Sequence, residues 1–198
     1  MKRKKITGNI IRLRKMVNLS GIKNGYSVLD LGCGSDKLRN YIGDRITSYF
    51  PISLHSIKYI GVDTDFTDKE LKTGLYIKYN LESGLSEKIL TKKFDIIFIG
   101  ELLEHIENFK RLLNQCKNCL TKNGKIILSV PNPLRFNLRE HPEHIHSFTD
   151  SNIKNLSKII GVRVVKKVGT FISIPLLKID ISCSFLPFTT SIIYVLEK

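Results

Sequence analysis

Short apolar runs alternate with amphipathic stretches along most of the chain. The runs are almost continuously hydrophobic and end at glycine or polar residues, as expected of strands that are buried on both faces. They predict strands at residues 26–31, 58–63, 75–79, 94–99, 125–130, 162–168 and 191–197. Apolar residues with helical spacing predict helices at 6–19, from the glycines after the first strand to about Phe50, and at 86–91, 101–120 and 151–160.

The order of these elements defines an α/β fold. Strands that alternate with helices form a mostly parallel sheet with helices on both faces, so we predict a Rossmann-like, seven-stranded sheet. Residues 169–190 contain Pro175 and Pro187 and are predicted to be a variable loop before the final strand. Because no helix separates the last two strands, we predict that strand 191–197 is antiparallel. With 198 residues and no internal repeats, the chain is expected to be one domain, residues 1–198.

Glycines and acids follow the first two predicted strands and indicate a nucleoside pocket. The first strand leads into Gly32-Cys33-Gly34, where the missing Cβ atoms of the glycines allow a ligand to approach closely. Asp63, at the end of the second strand, offers carboxylate oxygens to a ribose diol. Asp30 places negative charge beside the glycine turn, and residues 32–37 lack the third glycine of the dinucleotide fingerprint and carry an acid, Asp36. The pattern therefore favours S-adenosylmethionine, a cationic nucleoside, over NAD.

The formal net charge of +14 is unusual for a soluble protein of this size. No acid precedes Asp30, and residues 1–23 form a basic segment that is predicted to be largely helical. Such a charge attracts anions, which include nucleic acids, anionic substrates and acidic lipid surfaces. A lysine-rich composition without a specific partner is the simpler explanation, because no RNA-binding motif accompanies the charge. A nucleic-acid partner is therefore not favoured.

The four cysteines do not make a disulfide framework. Cys116 and Cys119 form a C-x-x-C, but they lie in a stretch of helical spacing and no second pair follows. Zinc needs four ligands, so we expect two small apolar residues on a helix and no bound metal. No signal peptide or membrane-spanning run is visible. A reducing cytoplasm is the expected location.

Together these motifs resemble the class I S-adenosylmethionine-dependent methyltransferases, especially the small-molecule branch that includes quinone-biosynthesis enzymes. The resemblance covers residues 24–165 and the final strand. It is carried by Val28–Gly34, Asp63, Asn80-Leu81, Phe94–Glu101, Glu101–His105, Ser129–Asn132 and His144–Thr149. It implies an enzyme that transfers a methyl group from S-adenosylmethionine to a small molecule. The basic composition makes an anionic acceptor one candidate, and the oligomeric state is left open.

The resemblance also implies which residues contact the cofactor. They are Asp30, Gly32, Cys33, Gly34, Asp63, Thr64, Asn80, Leu81, Gly100 and Glu101. Two positions depart from the family's pattern, since Asp36 stands where a third glycine is common and Asn80 where aspartate is usual. The carbonyl oxygen of the Asn80 side chain can still accept a hydrogen bond from the adenine amine.

Methyl transfer from a sulfonium is an in-line displacement, which needs alignment and, for a protonated nucleophile, a proton acceptor. The candidate acceptors are His105, after the fourth strand, and the histidines of residues 141–146. His144 and His146 are the favoured pair because they adjoin Phe148, an apolar residue that could fix their positions. A structural role for each histidine remains the alternative.

Two other functions would use the same residues. Glu101, Glu104 and His105, with a histidine of 141–146, could bind a divalent cation, as in the small-RNA 3′-terminal 2′-O-methyltransferases that this set resembles. We find no added RNA-binding domain, so this alternative is not favoured. The second is a non-catalytic cofactor-binding scaffold. The apolar residues of 169–190 are expected to be core, with a substrate pocket or a dimer face as alternatives.

Overall fold

The structure is a computed structural model that describes residues 7–34, 56–67, 71–73, 75–134, 142–174 and 179–198. Two features of the sequence-based prediction lie outside these residues. They are the helix after the first strand, with its expected cap at Ser35 or Asp36, and His141.

A seven-stranded sheet forms the centre of the described structure. The strands in chain order are β1 (Ser27–Leu31), β2 (Lys58–Asp63), β3 (Tyr76–Lys78), β4 (Phe94–Gly100), β5 (Leu120–Pro131), β6 (Arg163–Gly169), β7 (Phe171–Ile174), β8 (Ile179–Ser182) and β9 (Ser191–Glu197). The order across the large sheet is β3-β2-β1-β4-β5-β9-β6, and β7 pairs with β8 separately. β9 is antiparallel to β5 and β6, whereas β1 to β5 pair in parallel. The predicted seven-stranded sheet with an antiparallel last strand is confirmed.

Helices cover both faces of this sheet. Among the described residues they are α1 (Gly8–Ser20), α2 (Glu87–Leu90), α3 (Phe109–Cys119) and α4 (Asp150–Ile160). Successive residues of a strand point to opposite faces. Accordingly Leu29 and Ile97 join the hydrophobic core with α3 and α4, while Val28 and Ile96 join the core with α1. Among the helices of the described residues, none combines the length and apolar character needed to cross a bilayer.

The helix predicted over residues 101–120 begins later than expected. Glu101 has a φ of 51°, in the left-handed region, which an α-helix cannot include. A 3₁₀ turn follows at Leu103–His105, and α3 begins only after Asn108, whose side chain accepts a backbone hydrogen bond and caps it. The run from Glu101 to His105 is therefore a tight turn at the end of β4.

β5 begins earlier than predicted, at Leu120 instead of Lys125. Phe94 of β4 lies opposite Leu120, and Ile96 lies opposite Lys125, so residues 121–124 bulge out of the ladder. The prediction was wrong here because the bulge residues are polar and interrupt the apolar run that marks a buried strand.

The predicted loop 169–190 contains the β7–β8 pair and a 3₁₀ turn at Leu186–Phe188. Each of these strands has four residues, which is too short for an alternating pattern to distinguish a strand from a loop. Phe171 is buried, but Phe185 and Phe188 are 62% and 57% exposed. The expectation that the apolar residues of this segment are core is therefore wrong for these two phenylalanines.

Hydrogen bonds connect α1 to the β7–β8 pair and to the residues on either side of it. The Gly8 N–H donates to Asp180 Oδ2 at 2.8 Å. Lys15 Nζ donates to the carbonyl oxygens of Gly169 and Cys183, at 2.9 and 2.6 Å. These bonds join the amino-terminal helix to the segment between β6 and β9.

Cys116 and Cys119 are both buried on α3, as predicted, and both are free thiols. Burial raises the pKa of each thiol above its ordinary value of 9.0. These cysteines therefore behave as small apolar residues at neutral pH.

The amino terminus of α4 has a capping box whose contribution can be measured. Thr149 Oγ1 accepts the Asn152 N–H at 3.2 Å, and Asn152 Oδ1 accepts the Thr149 N–H at 3.1 Å. Thr149→Ala should lower the free energy of unfolding by about 1 kcal/mol, because an N–H of the first turn loses its partner. Urea denaturation followed by circular dichroism measures the change. Ser151→Ala, at an exposed position of the same turn, is the matched control. Equal losses in the two variants would contradict the assigned cap.

Candidate active site

The register of three parallel strands brings their carboxyl ends to one edge of the sheet. Leu31 of β1 lies opposite Val62 of β2 and also opposite Ile99 of β4. The residue that follows each of these therefore emerges at the same edge, which is where open α/β sheets bind ligands. The predicted cofactor residues at the ends of β1, β2 and β4 are thus brought together.

The turn after β1 depends on glycine at two positions and is held by the acid at the end of β2. Gly32 and Gly34 have φ values of 66° and 56°, a conformation that other residues rarely adopt. The Gly34 N–H donates to Asp63 Oδ2 at 2.8 Å, and Asp63 Oδ1 accepts the Thr64 N–H at 2.7 Å. Asp63 Oδ1 also accepts the Asp65 N–H at 3.3 Å, whereas Oδ2 has a second lone pair that can accept a hydrogen bond from a ribose hydroxyl. The predicted ribose acid therefore lies beside the glycine turn.

A cavity of about 270 Å³ lies between this turn and α1. Its walls are formed by Asn9, Arg12, Leu13, Met16, Asp30, Gly32, Cys33, Gly34, Gly100 and Glu101. Six of the ten residues predicted to contact the cofactor are among them. The other four, Asp63, Thr64, Asn80 and Leu81, lie at the ends of β2 and after β3.

Asp30 is the buried acid of this cavity. Its side chain is held by the hydroxyl of Tyr59, which donates to Asp30 Oδ2 at 2.7 Å. Burial, reinforced by the negative charge of Asp30, raises the pKa of Tyr59 well above its ordinary value of 10.0. The tyrosine therefore remains a donor at neutral pH and keeps the acceptor atoms of Asp30 in place beside the glycine turn.

Arg12 on α1 is a site residue that sequence reasoning missed. Its Nη1 lies 3.1 Å from Glu101 Oε2 and donates to Ser129 Oγ at 3.2 Å. Ser191 Oγ donates to the other carboxylate oxygen, Oε1, of Glu101. In the sequence Arg12 is one of many basic residues near the amino terminus. Its burial could have been inferred from its position about one helical turn before Met16, which puts both side chains on the buried face of α1.

The charges around the cavity match those of S-adenosylmethionine. Asp30 and Glu101 supply two carboxylates and Arg12 one guanidinium, while the cofactor carries a sulfonium, an ammonium and a carboxylate. Within the described part of the chain, the buried Nε of Arg12 has no hydrogen-bond partner. That nitrogen is a donor that a ligand carboxylate can satisfy. The residues present therefore fit the cofactor that the sequence implies.

The predicted adenine-edge residues form the start of a 3₁₀ turn. Asn80 Oδ1 accepts the Glu82 N–H at 3.0 Å, and Leu81 is buried beneath the turn. The Asn80 side chain is exposed, and its carbonyl oxygen has a second lone pair for an adenine amine. A contact between Asn80 and adenine stays a prediction.

The predicted catalytic histidines lie in two separate places. The rings of His105 and His144 are adjacent, with centroids 4.8 Å apart. His146 instead packs against Phe109, with ring centroids 4.9 Å apart, and lines a different cavity of about 310 Å³ beside α3 and α4. The structure thus pairs His144 with His105 and not with His146, so proximity to Phe148 in the sequence did not identify the pair. A catalytic role for any of these histidines stays a prediction.

Glu104 is a buried acid beside this histidine pair. It is 1% exposed, and neither of its carboxylate oxygens has a hydrogen-bond partner among the described residues. Its backbone carbonyl accepts the N–H groups of Ile145 and His146 at 2.9 and 3.2 Å. These bonds dock the segment after β5 against the turn after β4. Burial, with an addition from the charge of Glu101, raises the pKa of Glu104 to about 8.

The chain matches a protein family described as "Methyltransferase domain" over residues 3–167. It therefore belongs to this methyltransferase family. The resemblance to the S-adenosylmethionine-dependent methyltransferases inferred from the sequence is confirmed at this level.

Curated relatives and solved structures agree with this assignment. An (S)-coclaurine N-methyltransferase of Thalictrum flavum subsp. glaucum is 31% identical over 113 residues, which are 54% of this chain and 29% of that protein. A ubiquinone biosynthesis O-methyltransferase of Glaesserella parasuis serovar 5 is 28% identical over 110 residues, 54% of this chain and 46% of that protein. The chain thus spans less than half the length of these relatives.

The fold is shared with a solved S-adenosylmethionine-dependent methyltransferase from Archaeoglobus fulgidus. The two superpose with a TM-score of 0.69 at 18% identity, over 97% of this chain and 95% of that one. The predicted Rossmann-like architecture is confirmed. Neither the RNA-methylating alternative nor the scaffold alternative gains support from these comparisons.

Burial of Glu104 should make the metal-free protein less stable as pH rises. Its pKa is 4.5 ordinarily and about 8 in the folded state, so between these values the native protein binds more protons than the unfolded chain. Stability therefore declines through this window and levels off above it. Glu104→Gln keeps the shape of the side chain without its ionisation and should remove this part of the decline, on the order of a few kcal/mol.

Urea denaturation in EDTA-containing buffer, at about pH 6 and about pH 9, measures the effect. Glu107→Gln, which alters an exposed acid of the same segment, is the control. An identical pH dependence in the wild type and in Glu104→Gln would show that Glu104 does not titrate in this range.

Proposed function

We propose that this protein transfers the methyl group of S-adenosylmethionine to a small-molecule acceptor. The observation that carries the proposal is the cavity at the ends of β1 and β4, where two carboxylates and one guanidinium surround the glycine turn. Membership of the methyltransferase family and the activities named for its relatives support methyl transfer as the reaction. The free cysteines favour the reducing cytoplasm as its location.

Each part of the cofactor has a proposed partner in this arrangement. Asp63 and Thr64 bind the ribose, Asn80 and Leu81 border the adenine, and Asp30, Gly32, Cys33, Gly34 and Gly100 surround the methionine portion. Arg12 binds the methionine carboxylate, and Glu101 holds Arg12 in place through their 3.1 Å contact. When bound, the cofactor supplies a methyl group that its sulfonium has already activated. The protein then aligns the reacting groups and excludes water.

The acceptor must lose a proton if its nucleophilic atom carries one. Glu101 lines the cofactor cavity, and the turn that follows it contains Glu104 and His105, so the pair of His105 and His144 lies at the β4 side of that cavity. We place proton removal from the acceptor on this side of the cavity. One named relative is an N-methyltransferase and the other an O-methyltransferase, and both atom types can carry such a proton. The net charge of +14 favours an anionic acceptor.

Asp63→Asn tests the ribose contact. The variant retains an oxygen that can accept the Gly34 N–H, but it lacks the charged acceptor for the ribose hydroxyls. We expect its affinity for S-adenosylhomocysteine to fall about 10-fold or more, since hydrogen bonds to charged groups contribute about 1.5–3 kcal/mol. Isothermal titration calorimetry measures the affinity, and Asp65→Asn, which alters a nearby exposed acid, is the control. Absence of binding to the folded wild type at millimolar ligand would refute the proposed function.

Arg12→Met tests the contact with the methionine carboxylate. Methionine preserves the apolar stem of the side chain and removes every guanidinium donor. Binding of S-adenosylhomocysteine should weaken about 10- to 100-fold, because a charge-assisted hydrogen bond is lost. Methylthioadenosine lacks the amino-acid portion, so its affinity should be the same in the variant and the wild type. An equal loss of affinity for both ligands would assign Arg12 a purely structural role.

A further inference from the structure

The residues from β8 to the turn before β9 expose a concentration of large hydrophobic side chains. Within the described part of the chain nine such side chains are exposed, and four of them lie in residues 179–188. They are Ile179, Ile181, Phe185 and Phe188, each at least 42% exposed. Successive members of this series are at most four residues apart, so their Cα atoms lie within about 14 Å of each other. We call this region the apolar segment.

The pairing of β7 with β8 explains why the two isoleucines are exposed. Asp180 accepts the backbone N–H of the first residue of α1, so its side chain points towards that helix. Ile179 and Ile181, the neighbours of Asp180 in β8, point to the opposite face of the two strands. Their partners in β7 are Ile174 and Ile172, which share that face. One face of the two strands therefore contacts α1, and the other presents four isoleucines.

The two phenylalanines form an exposed aromatic pair that the fold holds in place. The ring centroids of Phe185 and Phe188 lie 5.6 Å apart. Leu186, between them in the sequence, packs against the hydrophobic core. The buried Asn132 side chain donates to the carbonyl oxygens of Leu186 and Thr189, at 2.7 and 2.8 Å. These contacts fix the turn, so the exposure of both rings follows from the fold.

The apolar segment is itself nearly uncharged but has basic surroundings. Residues 181–196 contain no Asp, Glu, Lys, Arg or His. β7 and β8 pack against α1, which carries three cations and no acid, and residues 2–5 before this helix are all Lys or Arg. Lys15 Nζ donates to the Cys183 carbonyl oxygen at 2.6 Å and to Ser184 Oγ at 3.3 Å. Positive charge therefore borders the exposed hydrophobic side chains.

We propose that the apolar segment docks on a lipid bilayer that contains anionic headgroups. Hydrophobic side chains enter the boundary between headgroups and acyl chains, while nearby cations attract the anionic lipids. A second copy of this chain suits the segment less well, because it carries the same net charge of +14. A single-stranded nucleic acid needs cations among the aromatic rings, and residues 181–196 supply none.

Docking through this segment orients the protein on the bilayer. Phe188 lies three residues before Ser191, whose hydroxyl donates to Glu101 at the cofactor cavity. The edge of the sheet that holds the cavity is therefore the edge that approaches the lipid. Binding to lipid requires neither cofactor nor turnover, so it is independent of the proposed methyl transfer.

Co-sedimentation of the full chain with vesicles tests this docking. Vesicles with about 30% phosphatidylglycerol in phosphatidylcholine should bind the protein at least about 10-fold more tightly than pure phosphatidylcholine vesicles, and added NaCl should reduce the difference. Phe185→Ser combined with Phe188→Ser should weaken binding to the anionic vesicles at least about 10-fold, because two rings no longer enter the interface. Ile159→Ser, which alters an exposed hydrophobic side chain on α4, is the control and should bind as the wild type does.

Unchanged binding of the double variant to anionic vesicles would overturn the docking surface, as would equal binding of the wild type to both kinds of vesicle. Circular dichroism verifies folding, and Ile181→Ser, at another exposed position, provides the test if the double variant does not fold. Two further results would also overturn the lipid assignment. A lipid-free dimer that the double variant dissociates, seen by analytical ultracentrifugation, would assign the segment to self-association. Binding of an oligothymidylate that the double variant loses would assign it to nucleic acid.

Discussion

The alignment of β1 with β2 and β4 determines where the candidate functional residues lie. Val28 and Ile96 face the core under α1, whereas Leu29 and Ile97 face the core under α3 and α4. A slip of one residue would exchange these two sets and present each to the wrong helices. Because packing on both faces sets the register, the strands end at the same level, and the glycines and acids that follow them meet at one edge.

That edge contains groups that would destabilise a fold elsewhere. Glu101 has a left-handed backbone, which for a residue other than glycine costs roughly 1–3 kcal/mol. Arg12 and Glu104 are ionisable side chains in buried positions. The Arg12–Glu101 ion pair compensates part of this cost, whereas Glu104 has no such partner in the described structure. Backbone strain and buried ionisable groups are therefore concentrated beside the cavity, as expected where ligands complete the set of interactions.

The strands and the cofactor residues at their ends could be predicted from the sequence because their signals are local. Each such signal, an apolar run that ends in glycine or in an acid such as Asp63, is contained in about ten consecutive residues. Arg12 could not be recognised in this way, since its partner Ser129 is 117 positions away in the chain. The pairing of His105 with His144 likewise depends on backbone bonds between two distant segments. The helix predicted from Glu101 onward failed for another reason. The apolar residues keep helical spacing from Glu101, but the φ of 51° at this residue is incompatible with an α-helix.

The bonds between α1 and the β7–β8 pair have a consequence for access to the cavity. α1 forms one wall of that cavity through Arg12, and Lys15, one turn further along the helix, bonds to the carbonyl oxygens of Gly169 and Cys183. The helix cannot swing outward alone without breaking these bonds. Because Gly169 belongs to β6 of the main sheet, this wall of the cavity can open for a ligand only if the bond from Lys15 to Gly169 is also broken.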